Sequence, residues 1–188
     1  VTSNQSPMRT DQSAIGNQKS TMLIECVPNF SEGRKPEVVE QIAQAIASVE
    51  RTTVLNRHID PDHNRSVITF VCAPESVVDG AVRGVAKAAE LIDMRCHRGE
   101  HPRLGATDVL PFVPIQQVTM EECVRLAHEA GERIAAELAI PVYFYEQAAR
   151  LPNRKNLEDV RRGALELLRE QIVTHSDRAP DVGTPNVH

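Results

Sequence analysis

Short apolar runs alternate with longer amphipathic stretches along the chain. The run MLIECV at 22–27 predicts a buried strand. The stretch 36–49 predicts a helix, because its apolar residues recur at helical spacing and Pro36 suits a first helical turn. The apolar positions of this helix are Val38, Ile42, Ala45, Ile46 and Val49.

The same pattern continues through the first two thirds of the chain. Strands are predicted near 52–56 and at 66–72, joined by the polar connector 57–65. A second helix that begins at a proline follows at 74–93, and a strand is expected at about 108–115. The order β-α-β-β-α-β predicts an α+β fold with a ferredoxin-like core, in which two helices cover one face of an antiparallel sheet.

Three further elements are predicted after this core. Thr119 and Glu122 have the spacing of a capping box before a helix. PVYFY at 141–145 predicts a strand, and Asn156 is the expected cap of a last helix that extends to about residue 172. The fold is therefore expected to carry an added helix, strand and helix on the C-terminal side of the core.

The length of 188 residues predicts one domain with a substantial core. Residues 1–21 are rich in Ser, Gln, Asn and Thr and have no apolar segment, so they are expected to form a disordered lead-in. The domain is expected to span 22–176, and the non-periodic tail 177–188 is expected to be a linker. No apolar run is long enough to predict a membrane span.

Charge and composition narrow the class of partner. The net charge is −5 and aromatic residues make up 3% of the chain, so a nucleic-acid-binding surface is not expected. The four cysteines form no CxxC pair and have apolar neighbours, which predicts buried thiols in a reducing cytoplasm. These cysteines are Cys26, Cys72, Cys96 and Cys123.

The segment MRCHRGEHPRLGATDV at 94–109 concentrates polar side chains. His97 and His101 match the spacing H-x-x-E-H of a group of zinc peptidases. Such a site needs both histidines on one face of a helix, but Gly99 lies between them and Pro102 disfavours helical backbone at the preceding residue. A metal site is therefore not expected here.

A second interpretation of this segment is a rigid loop that presents His101 as a general acid and base. Histidine suits proton transfer because its ordinary pKa lies near working pH. Arg95, Arg98 and Arg103 accompany it, and guanidinium groups fit carboxylates well. The alternative is a polar connector without a chemical role, which the clustering of two histidines and three arginines makes less attractive.

Two other polar connectors are candidates for the same site. The connector 57–65 could be a structural turn or, with its histidines and carboxylates, a metal site. The connector 28–34, PNFSEGR, is the other one. The sequence leaves open whether these connectors and the His101 loop meet in space.

Three blocks, LIECVPNFSEGR (23–34), DHNRSVITFV (62–71) and LIDMRCHRGEHPRLGATDVLPFVP (91–114), resemble the formimidoyltransferase family. The resemblance implies transfer of a formimidoyl group from N-formimidoyl-L-glutamate to N5 of tetrahydrofolate in histidine degradation. Tetrahydrofolate is then a co-substrate, no metal is implied, and the catalytic histidine of the GEHPR block corresponds to His101.

The resemblance also implies binding residues and partners. Asn64, Arg65 and Arg103 match family blocks and are expected either to contact carboxylates or folate or to hold the loops together. A second subdomain follows in the family, with the substrate site between the halves, so this chain is expected to be the amino-terminal half and could self-associate. The rival hypothesis is a non-catalytic folate-binding or interaction module with the same fold. The implied folate-contacting segment comprises Gly183, Thr184, Pro185, Asn186, Val187 and His188.

Overall fold

A computed structural model describes residues 22–100 and 102–186, which form an antiparallel sheet backed by helices. The strands are β1 (Leu23–Cys26), β2 (Asn29–Phe30), β3 (Thr52–Asp60), β4 (Arg65–Cys72), β5 (Thr107–Val109) and β6 (Phe112–Gln116). The helices are α1 (Pro36–Ala47), α2 (Pro74–Leu91), α3 (Met120–Leu138), α4 (Leu157–Val160) and α5 (Ala164–Gln171). Short 3-10 turns lie at Glu146–Ala148, Pro152–Arg154 and Ser176–Arg178.

The strands lie in the order β5-β2-β4-β1-β6, with β3 pairing along β4, and every pairing is antiparallel. β1 and β2 both pair with β4 and are separated by Val27 and Pro28. Pro111 lies between β5 and β6, where a proline cannot donate a ladder hydrogen bond. This mixture of one antiparallel sheet and several helices confirms the predicted α+β class.

Alternate residues of the central strands are buried against the helices. In β1 the buried positions are Ile24 and Cys26, and in β4 they include Ile68 and Phe70, all with no exposed surface. The residues between them are only partly buried, so the opposite face of the sheet is more open. The period-2 pattern of these strands therefore positions one layer of core between the sheet and the helices.

The helix ends follow the signals in the sequence. Pro36 and Pro74 occupy the first turns of α1 and α2, as predicted. The Oγ1 of Thr119 accepts a hydrogen bond from the backbone N–H of Glu122 at 3.2 Å, which confirms Thr119 as the cap of α3. α3 ends at Ala139, whose φ of 55° is left-handed and cannot continue the helix.

Four predicted elements differ from the observed ones. The strand expected at about 108–115 is divided into β5 and β6, which Leu110 and Pro111 separate. β3 extends to Asp60, so the connector 57–65 is a tight turn of four residues rather than a long loop. The predicted strand 141–145 is wrong, since Val142 forms only an isolated bridge with Val182. The backbone N–H of Phe144 donates to a side chain, Asp181 Oδ2, at 2.8 Å, so the backbone pairing with the segment around Val182 does not continue there.

The predicted last helix is divided in two. Asn156 caps α4 through its Oδ1, which accepts from the N–H of Glu158 at 3.0 Å, as predicted. Gly163 then adopts a left-handed φ of 79°, and the chain restarts as α5. Glycine adopts this φ without strain, so Gly163 can separate two helices within the stretch whose apolar periodicity had predicted one.

The cysteines only partly match their prediction. Cys26, Cys72 and Cys123 are buried thiols, but Cys96 is exposed because it lies in the turn that follows α2. All four are free. No helix among the described residues is long and apolar enough to cross a membrane.

Candidate functional site

The connector that follows β2 lies against both of the other polar connectors. The backbone N–H of Ser31 donates to the carbonyl of Ala106 at 2.9 Å, and its hydroxyl donates to the carbonyl of Gly105 at 2.7 Å. The N–H of Gly33 donates to the side-chain oxygen of Asn64 at 2.9 Å. Three segments that are far apart in the sequence therefore meet at one end of the sheet.

Asn64 is the residue that joins them. It ends the β3–β4 turn with a left-handed φ of 49°, a conformation that asparagine adopts more readily than most residues. Its Nδ2 donates to the carbonyl of Arg98 at 2.9 Å, and its own carbonyl accepts from Nε2 of His97 at 3.1 Å. The residue is 7% exposed, so these contacts are shielded from water.

Two glycines allow the backbones to approach this closely. A Cβ on Gly33 would lie 2.2 Å from the carbonyl oxygen of Asp60. A Cβ on Gly99 would lie 2.5 Å from the carbonyl oxygen of His63. Both positions exclude any side chain, because real Cβ atoms do not approach backbone oxygens below 3.0 Å. The backbones at Gly33 and at Gly99 therefore both lie in direct contact with the backbone of the β3–β4 hairpin.

His97 lies beneath the loop and is 6% exposed. Burial lowers the pKa of His97 below its ordinary value, and nearby Arg103 lowers it further, against the opposing effect of the hydrogen bond to Asn64. Since the carbonyl of Asn64 can only accept, Nε2 of His97 carries the hydrogen and Nδ1 is left as an unprotonated nitrogen. Among the described residues Nδ1 has no hydrogen-bond partner.

Arg103 connects the end of the loop to α5. Its Nη2 lies 3.0 Å from Oε1 of Glu166 and 3.4 Å from the carbonyl oxygen of His97. The Arg103 side chain is 10% exposed, whereas that of Glu166 is 65% exposed. The side chain of Arg103 is therefore bonded to other groups of the protein in this structure, as that of Asn64 is.

The β3–β4 turn is closed by its own side chains. Asp60 accepts hydrogen bonds from the N–H groups of Asp62 at 3.1 Å and His63 at 3.0 Å, and its Oδ2 lies 2.7 Å from Nδ1 of His63. The backbone hydrogen bond from His63 is the main reason that the pKa of Asp60 is lowered. Arg65 begins β4 opposite Asp60 and is half-buried. These contacts are those of a structural turn.

No group of three or more His, Cys, Asp or Glu side chains could hold a metal ion within residues 22–100 and 102–186. His101 lies outside the described residues, so the structure does not test its prediction as acid and base.

The predicted folate segment packs on the end of α3. Gly183 has a φ of 88°, and a Cβ there would lie 3.2 Å from the backbone of Pro141. Nδ2 of Asn186 donates to the carbonyl of Ala139 at 2.7 Å. Thr184 and Pro185 are described between them, whereas Val187 and His188 lie outside the described residues.

A buried ion pair fastens this part of the chain. Arg154 Nη1 lies 2.6 Å from Oδ2 of Asp181, and both side chains are almost fully buried. The hydroxyl of Tyr143 donates to the carbonyl of Arg178 at 2.7 Å. Arg161 and the buried carboxylate of Asp108 form a second such pair.

A mostly apolar cavity of about 820 Å³ lies nearby, but Asn64, Arg65 and the described residues of 97–103 do not line it. Leu104 and Gly105, at the end of the His97–Arg103 loop, line one part of it, and Asn186 lines another. Its volume is within the range typical of small-molecule sites. Further lining residues include Leu110, Phe112, Ala127, Ile140, Val142 and Phe144, with Asp93, Arg95 and Arg169 among the charged ones.

The sequence did not reveal the roles of His97, Gly33 and Glu166. For Gly33 a signal was present, since a glycine in a polar connector often marks close backbone approach. No signal identified Glu166, because its partner Arg103 is 63 residues away in the chain.

Comparison with known proteins points in one direction. Residues 23–188 match the family described as "Formiminotransferase domain, N-terminal subdomain". The chain is 57% identical over 139 residues to a protein of Thermoplasma acidophilum named glutamate formimidoyltransferase, covering 74% of this chain and 46% of that protein. It is 44% identical over 166 residues to a Streptococcus pyogenes protein of the same name, covering 88% of this chain and 55% of the relative.

Longer relatives match the same region. The formimidoyltransferase-cyclodeaminase of Rattus norvegicus is 47% identical over 163 residues, which cover 87% of this chain and 30% of that protein. The chain thus spans about half the length of the two glutamate formimidoyltransferases and about a third of the length of the cyclodeaminase relative.

Proposed function

Because the chain belongs to the formiminotransferase N-terminal subdomain family, we propose that it forms the amino-terminal part of a glutamate formimidoyltransferase. The reaction transfers the formimidoyl group from N-formimidoyl-L-glutamate to N5 of tetrahydrofolate and releases glutamate, a step of histidine degradation. The names of the Thermoplasma and Streptococcus relatives support this assignment. Free thiols are compatible with the reducing cytoplasm as its location.

In the proposed reaction His101 acts as general base and then as general acid. N5 of tetrahydrofolate attacks the formimidoyl carbon, and His101 accepts the proton that N5 loses. The bond between that carbon and the glutamate nitrogen then breaks, and His101 returns a proton to the departing amine. No metal is required for this sequence of steps.

The observation that best supports this function is the anchoring of the loop on both sides of His101. Asn64 holds the loop at Arg98, and Arg103 holds it through Glu166 and the carbonyl of His97. Proton transfer needs a base held within hydrogen-bonding reach of the reacting atoms, so a fixed loop favours a catalytic role over that of a plain connector.

The cavity lined by Leu104, Gly105 and Asn186 is the proposed site for the folate ring system. Its apolar lining suits a flat aromatic body, and its volume is sufficient for a ligand of this class. Arg95 and Arg169 line the same cavity. The Arg95 guanidinium is paired with both carboxylate oxygens of Asp93 at 2.9 Å, so Arg169 is the proposed partner for a ligand carboxylate. Val187 and His188 would continue the folate-contacting segment.

The resemblance implies contacts to a carboxylate or to folate from Asn64, Arg65 and Arg103, and those from Arg65 and Arg103 remain part of the proposal. Of the three, Arg65 is half-buried, while Asn64 and Arg103 are occupied by protein groups. An arginine such as Arg103 has five N–H donors, so its contact with Glu166 leaves others for a ligand that approaches from the loop.

We further propose that the core is ferredoxin-like and that a second subdomain completes the site. If β1 with β2 and β5 with β6 are counted as single interrupted strands, the order supports the predicted β-α-β-β-α-β arrangement. The open sheet face includes Val113, 36% exposed, and Ile115, 52% exposed, which favours a partner surface there. Residues 22–176 would form the first subdomain, and 177–188 would lead toward the second or toward another copy of the chain.

The second candidate function is a non-catalytic folate-binding or interaction module. It is favoured by the cavity, whose volume and apolar lining suit a bound folate whether or not transfer takes place. A half-site could bind tetrahydrofolate in the cavity without bringing the two substrates together.

Incubating the 188-residue chain with tetrahydrofolate and N-formimidoyl-L-glutamate tests both functions. Glutamate release that is lost in His101→Ala would establish transfer by this chain. Saturable tetrahydrofolate binding without glutamate release would favour the binding module for the isolated chain. The absence of both tetrahydrofolate binding and glutamate release would contradict both functions.

A further inference from the structure

Every hydrogen-bonding group of the Asn64 side chain is directed at a neighbouring backbone. Its oxygen accepts from the N–H of Gly33, and its nitrogen donates to the carbonyl of Arg98, both at 2.9 Å. A residue with this occupancy and 7% exposure has little left to offer a ligand. The resemblance left Asn64 as either a substrate contact or a residue that holds the loops together, and its hydrogen bonds favour the second role.

We propose that Asn64 and His97 form a clamp that positions the loop 97–103 for catalysis, without contacting substrate. This inference rests on the proposed function, and it assigns His97 as a neutral hydrogen-bond donor rather than as a second acid or base.

Each residue of the clamp holds a backbone carbonyl through a hydrogen bond from its side chain. Asn64 fixes the carbonyl of Arg98, and the ring of His97 fixes the carbonyl of Asn64 at 3.1 Å. Gly99 completes the contact, since it lies against the backbone of His63 without room for a Cβ. Arg98 and Gly99, which precede His101 by three and two residues, are thus held against the β3–β4 turn.

The surroundings of His97 disfavour its protonation. Arg103 and Arg34 are positive neighbours, and Glu32 is the negative one. The ring is buried, and a protonated imidazole would bring a second positive charge close to Arg103. A ring held neutral in this way keeps one donor at Nε2, which is all that the bond to Asn64 requires.

The first experiment measures the clamp without using activity. Amide hydrogen exchange of residues 98–106 is compared between the parent chain and Asn64→Gly, which keeps left-handed backbone accessible but removes both side-chain bonds. The matched control is Gln117→Gly, an exposed amide side chain at a φ of 53° on the turn before α3. We expect exchange in 98–106 to accelerate about tenfold in Asn64→Gly alone. Unchanged protection there would overturn the clamp.

Kinetics then separate positioning from contact. The kinetic test measures glutamate release by the parent enzyme, which is this chain or a longer protein that contains it. Asn64→Gly is expected to lower kcat about tenfold or more while KM for N-formimidoyl-L-glutamate changes less than about threefold. A rise in KM of about tenfold with kcat unchanged would instead make Asn64 a ligand contact. If the parent enzyme releases no glutamate, the proposed function fails, and the exchange measurement still decides the clamp.

Two substitutions of His97 test the role of its ring. His97→Gln retains an N–H donor at a similar reach but cannot exchange protons near neutral pH, whereas His97→Ala removes the donor. The clamp predicts that His97→Gln keeps most of the activity and loop protection that His97→Ala loses. Equal loss of activity in both variants, with loop protection intact in His97→Gln, would identify His97 as an acid or base and overturn the assignment.

Discussion

Arg154 and Asp181 form an ion pair of 2.6 Å in which the side chains are only 5% and 4% exposed. Asp181 also accepts a hydrogen bond from the N–H of Phe144, and Arg154 donates to the carbonyl of Ala179. The pair therefore fastens residues 177–183 to the rest of the domain, next to the segment proposed to contact folate.

Removing one partner of this pair should strongly destabilise the domain. Arg154→Met leaves the carboxylate of Asp181 buried without its counter-charge, and the free energy of unfolding should fall by about 3–5 kcal/mol. Urea unfolding measures this change. Arg125→Met is the control, because Arg125 and Glu129 form an exposed pair on α3 that should contribute at most about 0.5 kcal/mol. Equal losses in the two variants would contradict the role of the buried pair.

The close approach of the loop to the β3–β4 turn predicts intolerance of a methyl group at Gly99. Gly99→Ala should cost about 1–3 kcal/mol in the free energy of unfolding, because its Cβ would overlap the carbonyl of His63. Gly105→Ala is the matched change on the same loop, where the nearest atom to the new Cβ lies at 3.5 Å, an ordinary contact. Thermal unfolding of both variants provides the comparison. The packing is wrong if Gly99→Ala is as stable as Gly105→Ala.

The buried, neutral state of His97 predicts a contribution to the pH dependence of stability. Its pKa is lowered in the folded chain, while in the unfolded chain the ring should titrate near its ordinary value of about 6.5. Between those two values the unfolded chain binds the extra proton, so stability is retained above about pH 6.5 and is lost as the pH falls toward the folded pKa.

The measurement is the free energy of unfolding of the parent and of His97→Gln at several values between about pH 7.5 and pH 5. The parent should lose more stability than His97→Gln over this interval, because glutamine does not titrate. Parallel pH profiles would show that His97 does not take up a proton on unfolding in this range.

The thiols should differ sharply in reactivity. Cys96 is exposed, whereas Cys26, Cys72 and Cys123 are buried. Burial raises the pKa of Cys72 to about 11 and also raises the pKa of Cys26 and Cys123, so these three thiols have little thiolate near neutral pH. Iodoacetamide followed by mass spectrometry should label Cys96 first in the native chain and all four cysteines after denaturation. Rapid labelling of native Cys96→Ser would contradict this order.

The local elements of the core were predictable because their signals are local. Pro36, Pro74 and Thr119 each mark the start of a helix, and the largely apolar run 66–72 marks β4. The strand expected at 141–145 failed for a non-local reason. Its apolar residues resemble those of a strand, but its backbone pairs with the segment around Val182 only at Val142, and the side chain of Asp181 accepts the hydrogen bond from Phe144.

The candidate site was predictable in composition but not in geometry. The three polar connectors were identified from residue types, yet their meeting depends on Asn64, whose bonds to Gly33 and Arg98 span 31 and 34 residues. No periodicity reports contacts of this range. The sequence therefore left Asn64 as either a ligand contact or a residue that holds the loops together, and the structure shows its amide bonded to backbone.

The most direct test of the proposed function replaces the corresponding region of the Thermoplasma acidophilum glutamate formimidoyltransferase with residues 23–186 of this chain. Glutamate release from N-formimidoyl-L-glutamate is then measured with tetrahydrofolate, beside the same chimera carrying His101→Ala. The account predicts release by the chimera and a loss of about a hundredfold or more in the variant. A folded chimera that releases no glutamate, or a variant as active as its parent, would contradict the proposed transfer by His101.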